Sequence, residues 1–469
     1  TVLPGFIETH MHPVFFGIQE QQLVIPDSLA SIAEVVALLD THAATLPPES
    51  EVLAWRFDHT STKDQRHITT RDLDQVRGNH SIVVRHVSGH IAYGNSAALS
   101  DAGINSTTPD PPGGEIVRDE AGNPSGQLNE LSAMALVTGI LPNLNREGNL
   151  RALTIAQNTL LSVGVTTVHD LGVWSDEYFD AYAGALARDE LTVRTRLYAF
   201  VGDLDHIPVP PTTTGDRMTF GGIKFAIDGM LLGQTAHVRE PYCCTHETGV
   251  LLQTPEELNS AVAAAHRRGY QVAIHAEGDG ALDQALDAIE LATLERPRAD
   301  HRHRVEHVEI VHPDQIERMA HLGVTASLLL NGIHRWGDEL LGILGTDRVR
   351  AVSPLRSLRN HHVPTALHSD CPITPVNPLH SIATAVTRAS ETGQPINPEQ
   401  AVTVDEAIRG LTSDAAFIGF EEADKGTLEV GKLADLVALS EDPHLVSPSS
   451  IAEIEVTQTI IDGAVVWEA

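Results

Sequence analysis

The stretch PGFIETHMHPV, residues 4–14, decides how the rest of the chain is read. A run of apolar and β-branched residues ends in two histidines, His10 and His12, separated by Met11. In an extended strand, residues two apart point to the same side, so both imidazoles can reach one object. Neutral imidazole is the commonest protein metal ligand, and two at one strand end supply half of a tetrahedral site. The chain carries 25 histidines, so an exposed pair is an equally open reading of this stretch alone. The choice rests on what other strand ends supply.

From about residue 150 onward, short β-rich runs alternate with amphipathic helical stretches, the pattern of a parallel sheet with crossover helices. Residues 254–269, TPEELNSAVAAAHRRG, open with Thr254 and Glu257 in capping-box spacing and stop at Gly269. YQVAIHAEGD (270–279) then reads as a buried strand broken by a histidine, followed by a helix over 280–295 and the strand RVEHVEIV (304–311). A helix beginning at Pro313, the strand VTASLLL, and HVPTALHSD (362–370) continue the series. Further strands are expected at 164–172, 193–201 and 220–229. Strand after strand ends in a polar residue able to bind metal, and a closed (β/α)8 TIM barrel gathers such C-terminal ends at one mouth.

Residues 13–150 lack this rhythm and contain Pro and Gly clusters such as PDPPGGE (109–115). They read as a long insertion after the first strand that covers the mouth. At the other end, GTLEVGKLADLVALSEDP and VTQTIIDGAVVWEA are β runs with turn residues and no helix between them. The expected division is a barrel over 1–420, with the insertion, and part of a small β-sandwich over 421–469.

At 469 residues, with 42% hydrophobic and 20% charged residues, the chain can bury a large core. Its 31 Lys and Arg against 63 Asp and Glu give a formal charge of −32, which repels nucleic acid and anionic membrane surfaces. Neither nucleic acid nor membrane is an expected partner. Cys243 and Cys244 are adjacent and Cys371 stands alone, which gives neither a disulfide framework nor a zinc-thiolate spacing. No apolar run approaches a membrane span, and a cytoplasmic setting is the simplest expectation.

Taken in order, the strand-end candidates are His10, His12, Lys224, His275, His307 and Asp370. This set resembles the amidohydrolase superfamily, with HxH on the first barrel strand, lysine on the fourth, histidines on the fifth and sixth and aspartate on the eighth. Within it the chain is similar to the YtcJ-like branch, which includes N-substituted formamide deformylases. The segments that carry the resemblance are PGFIETHMH, SGHIAYGNSAAL (88–99), GGEIVRDEAGNPSGQLNE (113–130), IKFAIDG (223–229), VAIHAEGDGA (272–281), RVEHVEIVHPDQI (304–316), HSDCPI (368–373) and GKLADLVAL (431–439).

The resemblance implies one or two divalent ions, zinc first among those such ligands suit. His10, His12 and Asp370 would hold one ion and His275 and His307 a second. Lys224 would be carboxylated by carbon dioxide, its carbamate bridging both; a lysine directed to solvent, or one lending its charge from behind the ligands of a single-metal site, is the alternative. Metal lowers the pKa of bound water from about 15.7 towards roughly 7, and the hydroxide attacks a polarised carbonyl. Asp370 would take the proton and return it to the leaving nitrogen; a helix N-cap is its other reading. His90, on the insertion, is a candidate catalytic residue that binds the substrate carbonyl or amide, or else a surface or capping histidine. Asp279 would orient His275 or cap a helix, His169 and Asp170 carry no ligand role, and His334 and Trp336 would line the pocket.

The implied reaction is hydrolysis of a non-peptide C–N bond in a small molecule: an amide, N-formyl amine or carbamate-like group. A cyclic amidase or deaminase on the same site, or an inactive regulatory scaffold, are the alternatives. The superfamily usually has a β-rich segment before the first barrel strand, whereas here only nine residues precede His10. A segment upstream of Thr1 that completes the β domain is therefore expected. A homodimer is compatible with this reading.

Overall fold

Eight parallel strands form one sheet in sequential order, each beside the strand before and after it. They are β1 (Phe6–Met11), β2 (Val165–Val173), β3 (Arg194–Phe200), β4 (Met218–Ala226), β5 (Gln271–Ala276), β6 (Arg304–His307), β7 (Thr325–Leu328) and β8 (Thr365–Leu367). At the seam, the Asp370 N–H donates to the His10 carbonyl at 3.0 Å, and the Thr9 hydroxyl donates to the Leu367 carbonyl at 3.1 Å. With helices between its strands, the nearly closed sheet is a (β/α)8 TIM barrel. This computed structural model describes residues 1–26, 28–138, 145–201, 204–213, 215–243 and 245–469, so Cys244 lies outside the described residues.

Local chemistry explains the helix ends. The Glu257 N–H donates to the Thr254 hydroxyl at 3.3 Å, and the Thr254 N–H donates to the Glu257 carboxylate at 2.8 Å, a complete capping box. The helix Pro255–Arg267 then buries Leu258, Val262 and Ala265, one face at helical spacing. The helix Pro313–Leu322 stops at Gly323, whose φ of +68° is left-handed.

Two strands are shorter than their apolar runs predict. The run at 304–311 ends as a strand at His307, because His307 (φ +71°) and Val308 (φ +52°) turn into the left-handed region. A β-branched residue there is a backbone outlier. In 362–370 only Thr365–Leu367 is strand, and Asp370 sits at φ +53°. Both turns fall at strand ends that carry site candidates, where strained backbone tends to gather.

Residues 17–145 pack as a compact unit of their own, while residues 1–16 and 146–469 form the other. The first unit contains a six-stranded mixed sheet, Leu23–Val24, Val52–Phe57, Ile82–His86, Ile91–Gly94, Pro124–Asn129 and Glu115–Arg118 in spatial order. Ile82 and Val84 pack into one apolar cluster with Ile32, Val35 and Leu39, while Val83 packs into another with Met134 and Val137. Because both faces are covered there, residues 82–84 read as a continuous apolar run and not as an alternating one.

The C-terminal runs form Leu436–Leu439, Val456–Ile461 and Ala464–Glu468, in a single antiparallel sheet whose fourth strand is Val2–Pro4. Val2 lies opposite Ala438 and Pro4 opposite Leu436. The periodicity of residues 4–14 does not separate this short strand from β1. Gly5 divides them: a Cβ there would lie 2.2 Å from Thr166 Oγ1, so only glycine lets the chain pass. Arg194 of β3 fastens this sheet to the barrel, donating to both Asp435 carboxylate oxygens at 2.7 and 3.1 Å.

Candidate metal centre

At the C-terminal ends of the barrel strands, two sets of side chains converge. His10, His12 and Asp370 bring ligand atoms within 4.8 Å of one another, and so do His10, His307 and His368. His10 Nε2 and His12 Nε2 are each 3.4 Å from Asp370 Oδ1. Strand alternation puts the two histidines on one side, and the left-handed turn at Asp370 presents its carboxylate to them.

The hydrogen bonds fix which nitrogens are bare. His10 Nδ1 lies 2.7 Å from Glu306 Oε2. Arg304 donates from Nε to Glu306 Oε1 at 2.5 Å and from Nη2 to Oε2 at 3.0 Å, so both carboxylate oxygens act as acceptors. His10 therefore carries its proton on Nδ1 and turns a lone pair from Nε2 towards Asp370. Burial, then the neighbouring Lys224 and His307, hold its pKa well below the usual histidine range.

A second relay orients His368. The Thr9 hydroxyl gives its proton to the Leu367 carbonyl and so accepts from Ser327 Oγ, 2.8 Å away. Ser327 Oγ in turn accepts from His368 Nδ1 at 2.8 Å. His368 is thereby left with a bare Nε2, which lies 3.2 Å from His307 Nδ1.

Lys224 Nζ is 3.3 Å from His10 Nε2. Burial pushes its pKa down to about 8, against the opposing charges of Glu306 and Asp370. The His275 ring centre lies 4.5 Å from that of His307, and its Nε2 is 3.1 Å from the Gly229 carbonyl oxygen and 3.4 Å from Asp228 Oδ1. Burial works against a proton on His12, but Asp170 and Asp370 outweigh it and raise its pKa. Three more carboxyls crowd the region. Burial lifts Glu8 to about 8, although its carboxylate accepts from the His10 and Ser369 N–H groups at 3.1 Å. Burial likewise lifts Glu309 to about 8 and raises Glu277.

The remaining candidates take other places. His90 belongs to the unit of residues 17–145, where its Nδ1 lies 2.7 Å from Glu130 Oε2. Asp279 accepts the Arg239 N–H and meets His312 Nε2 at 2.9 Å, at the start of the helix Asp279–Glu295. His169 bridges Glu421 and Arg304, and Asp170 accepts the Tyr182 hydroxyl at 2.6 Å. His334 Nδ1 meets the Ala389 carbonyl at 3.2 Å, and Trp336 is buried. Cys371 is buried.

His368 and Glu306 belong to the site although sequence reasoning passed them over. The period of two that pairs His10 with His12 also pairs His368 with Asp370, so a signal for His368 was there. Nothing in the spacing signals the Arg304–Glu306 support.

The donor set suits a divalent cation. Asp370 Oδ1 is buried and takes part in no hydrogen bond among the described residues, while His10 Nε2 and His368 Nε2 carry lone pairs and no proton. Imidazole and carboxylate atoms of this kind match zinc and tolerate manganese or iron.

Comparison with known proteins agrees. The amidohydrolase family profile matches residues 1–467. YtcJ of Bacillus subtilis, whose name marks it as an amidohydrolase, is 30% identical over 100% of this chain and 89% of its own. The N-substituted formamide deformylase of Arthrobacter pascens is 30% identical over 100% of this chain and 88% of its own. A crystal structure of an uncharacterized metal-dependent hydrolase from Pyrococcus horikoshii superposes with a TM-score of 0.75 at 26% identity, covering 95% of this chain and 87% of that one. Among the described residues no helix is long and apolar enough to cross a membrane. A barrel whose strand ends gather histidines around an aspartate, in a chain matched along its length by these relatives, belongs to the amidohydrolase family and is a metal-dependent hydrolase.

Proposed function

We propose that this enzyme hydrolyses a linear, non-peptide C–N bond in a small molecule, such as an N-formyl amine, another amide or a carbamate-like group. The observation that carries the reading is the meeting of two histidine nitrogens on one carboxylate oxygen, His10 Nε2 and His12 Nε2 each 3.4 Å from Asp370 Oδ1. His10, His12 and Asp370 would hold one divalent ion, and His307 with His275 or His368 a second. Such an ion, when bound, makes water acidic enough to react at neutral pH and polarises a carbonyl. Similarity to a relative named as an N-substituted formamide deformylase supports the substrate class.

The protein's own groups do the rest. Glu306 holds the His10 ring by its Nδ1–H, and Ser327 does the same for His368. Asp370 takes a proton from the attacking water on its carboxylate and delivers it to the departing nitrogen, so that an amine and a carboxylic acid leave. Lys224, neutral for part of the time near neutral pH, adds carbon dioxide at Nζ with loss of one proton and becomes a carbamate beside His10.

A panel of N-formyl amines, N-acyl amino acids and carbamates offered to the zinc-loaded enzyme tests this. Release of amine from at least one linear class, abolished by chelation and restored by metal, is expected. Turnover confined to cyclic amides or amino-heterocycles would overturn the linear assignment.

A further inference from the structure

The unit of residues 17–145 holds its own group of metal-ligating side chains. Val52–Phe57 and Ile82–His86 are parallel neighbours with Phe57 opposite His86, so the residues just after Phe57 meet the last residue of the next strand. There His59 Nδ1 lies 3.1 Å from His86 Nε2. A carboxylate oxygen of Asp58 and one ring nitrogen from each of the two histidines lie within 4.8 Å of one another. Asp58 and His86 are buried and His59 partly so.

Each of the three is held from behind, as metal ligands generally are. Asp58 Oδ1 accepts the N–H and the hydroxyl of Thr60 at 2.9 and 2.7 Å, which fixes the plane of the carboxylate. The His59 ring is stacked on that of His67 at 4.1 Å, and His67 Nδ1 is anchored by the buried Tyr93 hydroxyl at 2.6 Å. His86 Nδ1 is 2.9 Å from Ser88 Oγ. With zinc–nitrogen bonds of about 2.0–2.1 Å, two nitrogens on one tetrahedral ion stand about 3.3 Å apart, close to the spacing found here.

The same spacing also suits a hydrogen bond, and the Ser88 N–H is directed at His86 Nδ1 at 3.1 Å. Without metal, His86 Nε2–H donates to His59 Nδ1. With metal, the His86 proton sits on Nδ1 and is accepted by Ser88 Oγ. The exchange gives up two neutral hydrogen bonds, the His86–His59 bond and the Ser88 N–H bond, for one to Ser88 Oγ and three coordinate bonds. The Asp58 carboxylate beside the two imidazoles supplies the third, oxygen donor.

We propose that Asp58, His59 and His86 bind one divalent ion of the zinc class, separate from the barrel centre and with its fourth position open to water or to an anionic ligand group. The ion ties the segment after Val52–Phe57 to the end of Ile82–His86.

The test counts metal in the full chain. Protein stripped by chelator and dialysed against zinc is compared as wild type, as the double variant His59→Gln, His86→Gln, and as the double variant His10→Ala, His12→Ala. The first variant should hold one equivalent fewer than wild type, and the second should retain that equivalent. Equal zinc in wild type and the first variant would overturn the proposal. Should the double variant not fold, as judged by circular dichroism, Asp58→Asn and His59→Gln are made singly and titrated with cobalt. Loss of one cobalt equivalent in each supports the site, and retention of the full wild-type count in both overturns it.

Discussion

His10 Nδ1 lies 2.7 Å from Glu306 Oε2, and Glu306 is gripped through both oxygens by Arg304. All three are almost fully buried. The pair sets both the orientation and the tautomer of a candidate metal ligand. Glu306→Gln keeps an acceptor for His10 but leaves Arg304 without a counter-charge. Metal affinity should fall roughly 10–100-fold, and stability by about 3–5 kcal/mol. Competition with a chromophoric chelator measures the first; unchanged affinity would show that His10 is held without Glu306.

Asp370 sits at φ +53°, a conformation that asparagine also adopts at little cost. Asp370→Asn should therefore fold normally and unfold at the wild-type denaturant midpoint. It cannot take a proton, and turnover should drop by about 100-fold to 10,000-fold. Steady-state kinetics near wild type would remove Asp370 from proton transfer.

With burial holding the Lys224 pKa near 8, its amine is open to carbon dioxide at mildly alkaline pH. Apoenzyme reconstituted with zinc in carbon dioxide-depleted buffer should take up less metal and recover less activity than the same protein given bicarbonate. Identical metal content and recovery in both buffers would count against the carbamate.

Burial pulls His169 down to about 4 even though Glu421 favours its proton. A histidine with a depressed folded pKa binds its proton more readily in the unfolded chain. It therefore destabilises the fold as pH falls from 6.5 to 4, and has no such effect above 6.5. His169→Gln removes this effect. The stability gap between wild type and variant, from urea midpoints, should shift by about 2 kcal/mol between pH 7 and pH 4.5, at the expense of wild type. A gap independent of pH would mean that His169 titrates normally in the fold.

The barrel was legible because its helices carry local signals, such as the Thr254–Glu257 capping box, and its strands are apolar runs between them. The ligand candidates were legible because strand alternation works at short range, as with His10 and His12. Where strands end was less legible: the left-handed turns at His307 and Val308 shorten an apolar run that continues to Val311. The sheet of residues 17–145 was hidden for a different reason. Its strand Ile82–His86 is covered on both faces and so does not alternate, and four of the six strands have antiparallel neighbours with no crossover helix to announce them. The Arg304–Glu306–His10 support joins residues 296 positions apart, which no local pattern encodes.

The central claim is that His10, His12 and Asp370 hold an ion at the barrel mouth. Crystals of zinc-reconstituted protein, measured on both sides of the zinc absorption edge, test it directly. An anomalous peak about 2.0–2.2 Å from His10 Nε2, His12 Nε2 and Asp370 Oδ1 is expected. Zinc at full stoichiometry with no peak within coordination distance of those three atoms would contradict it.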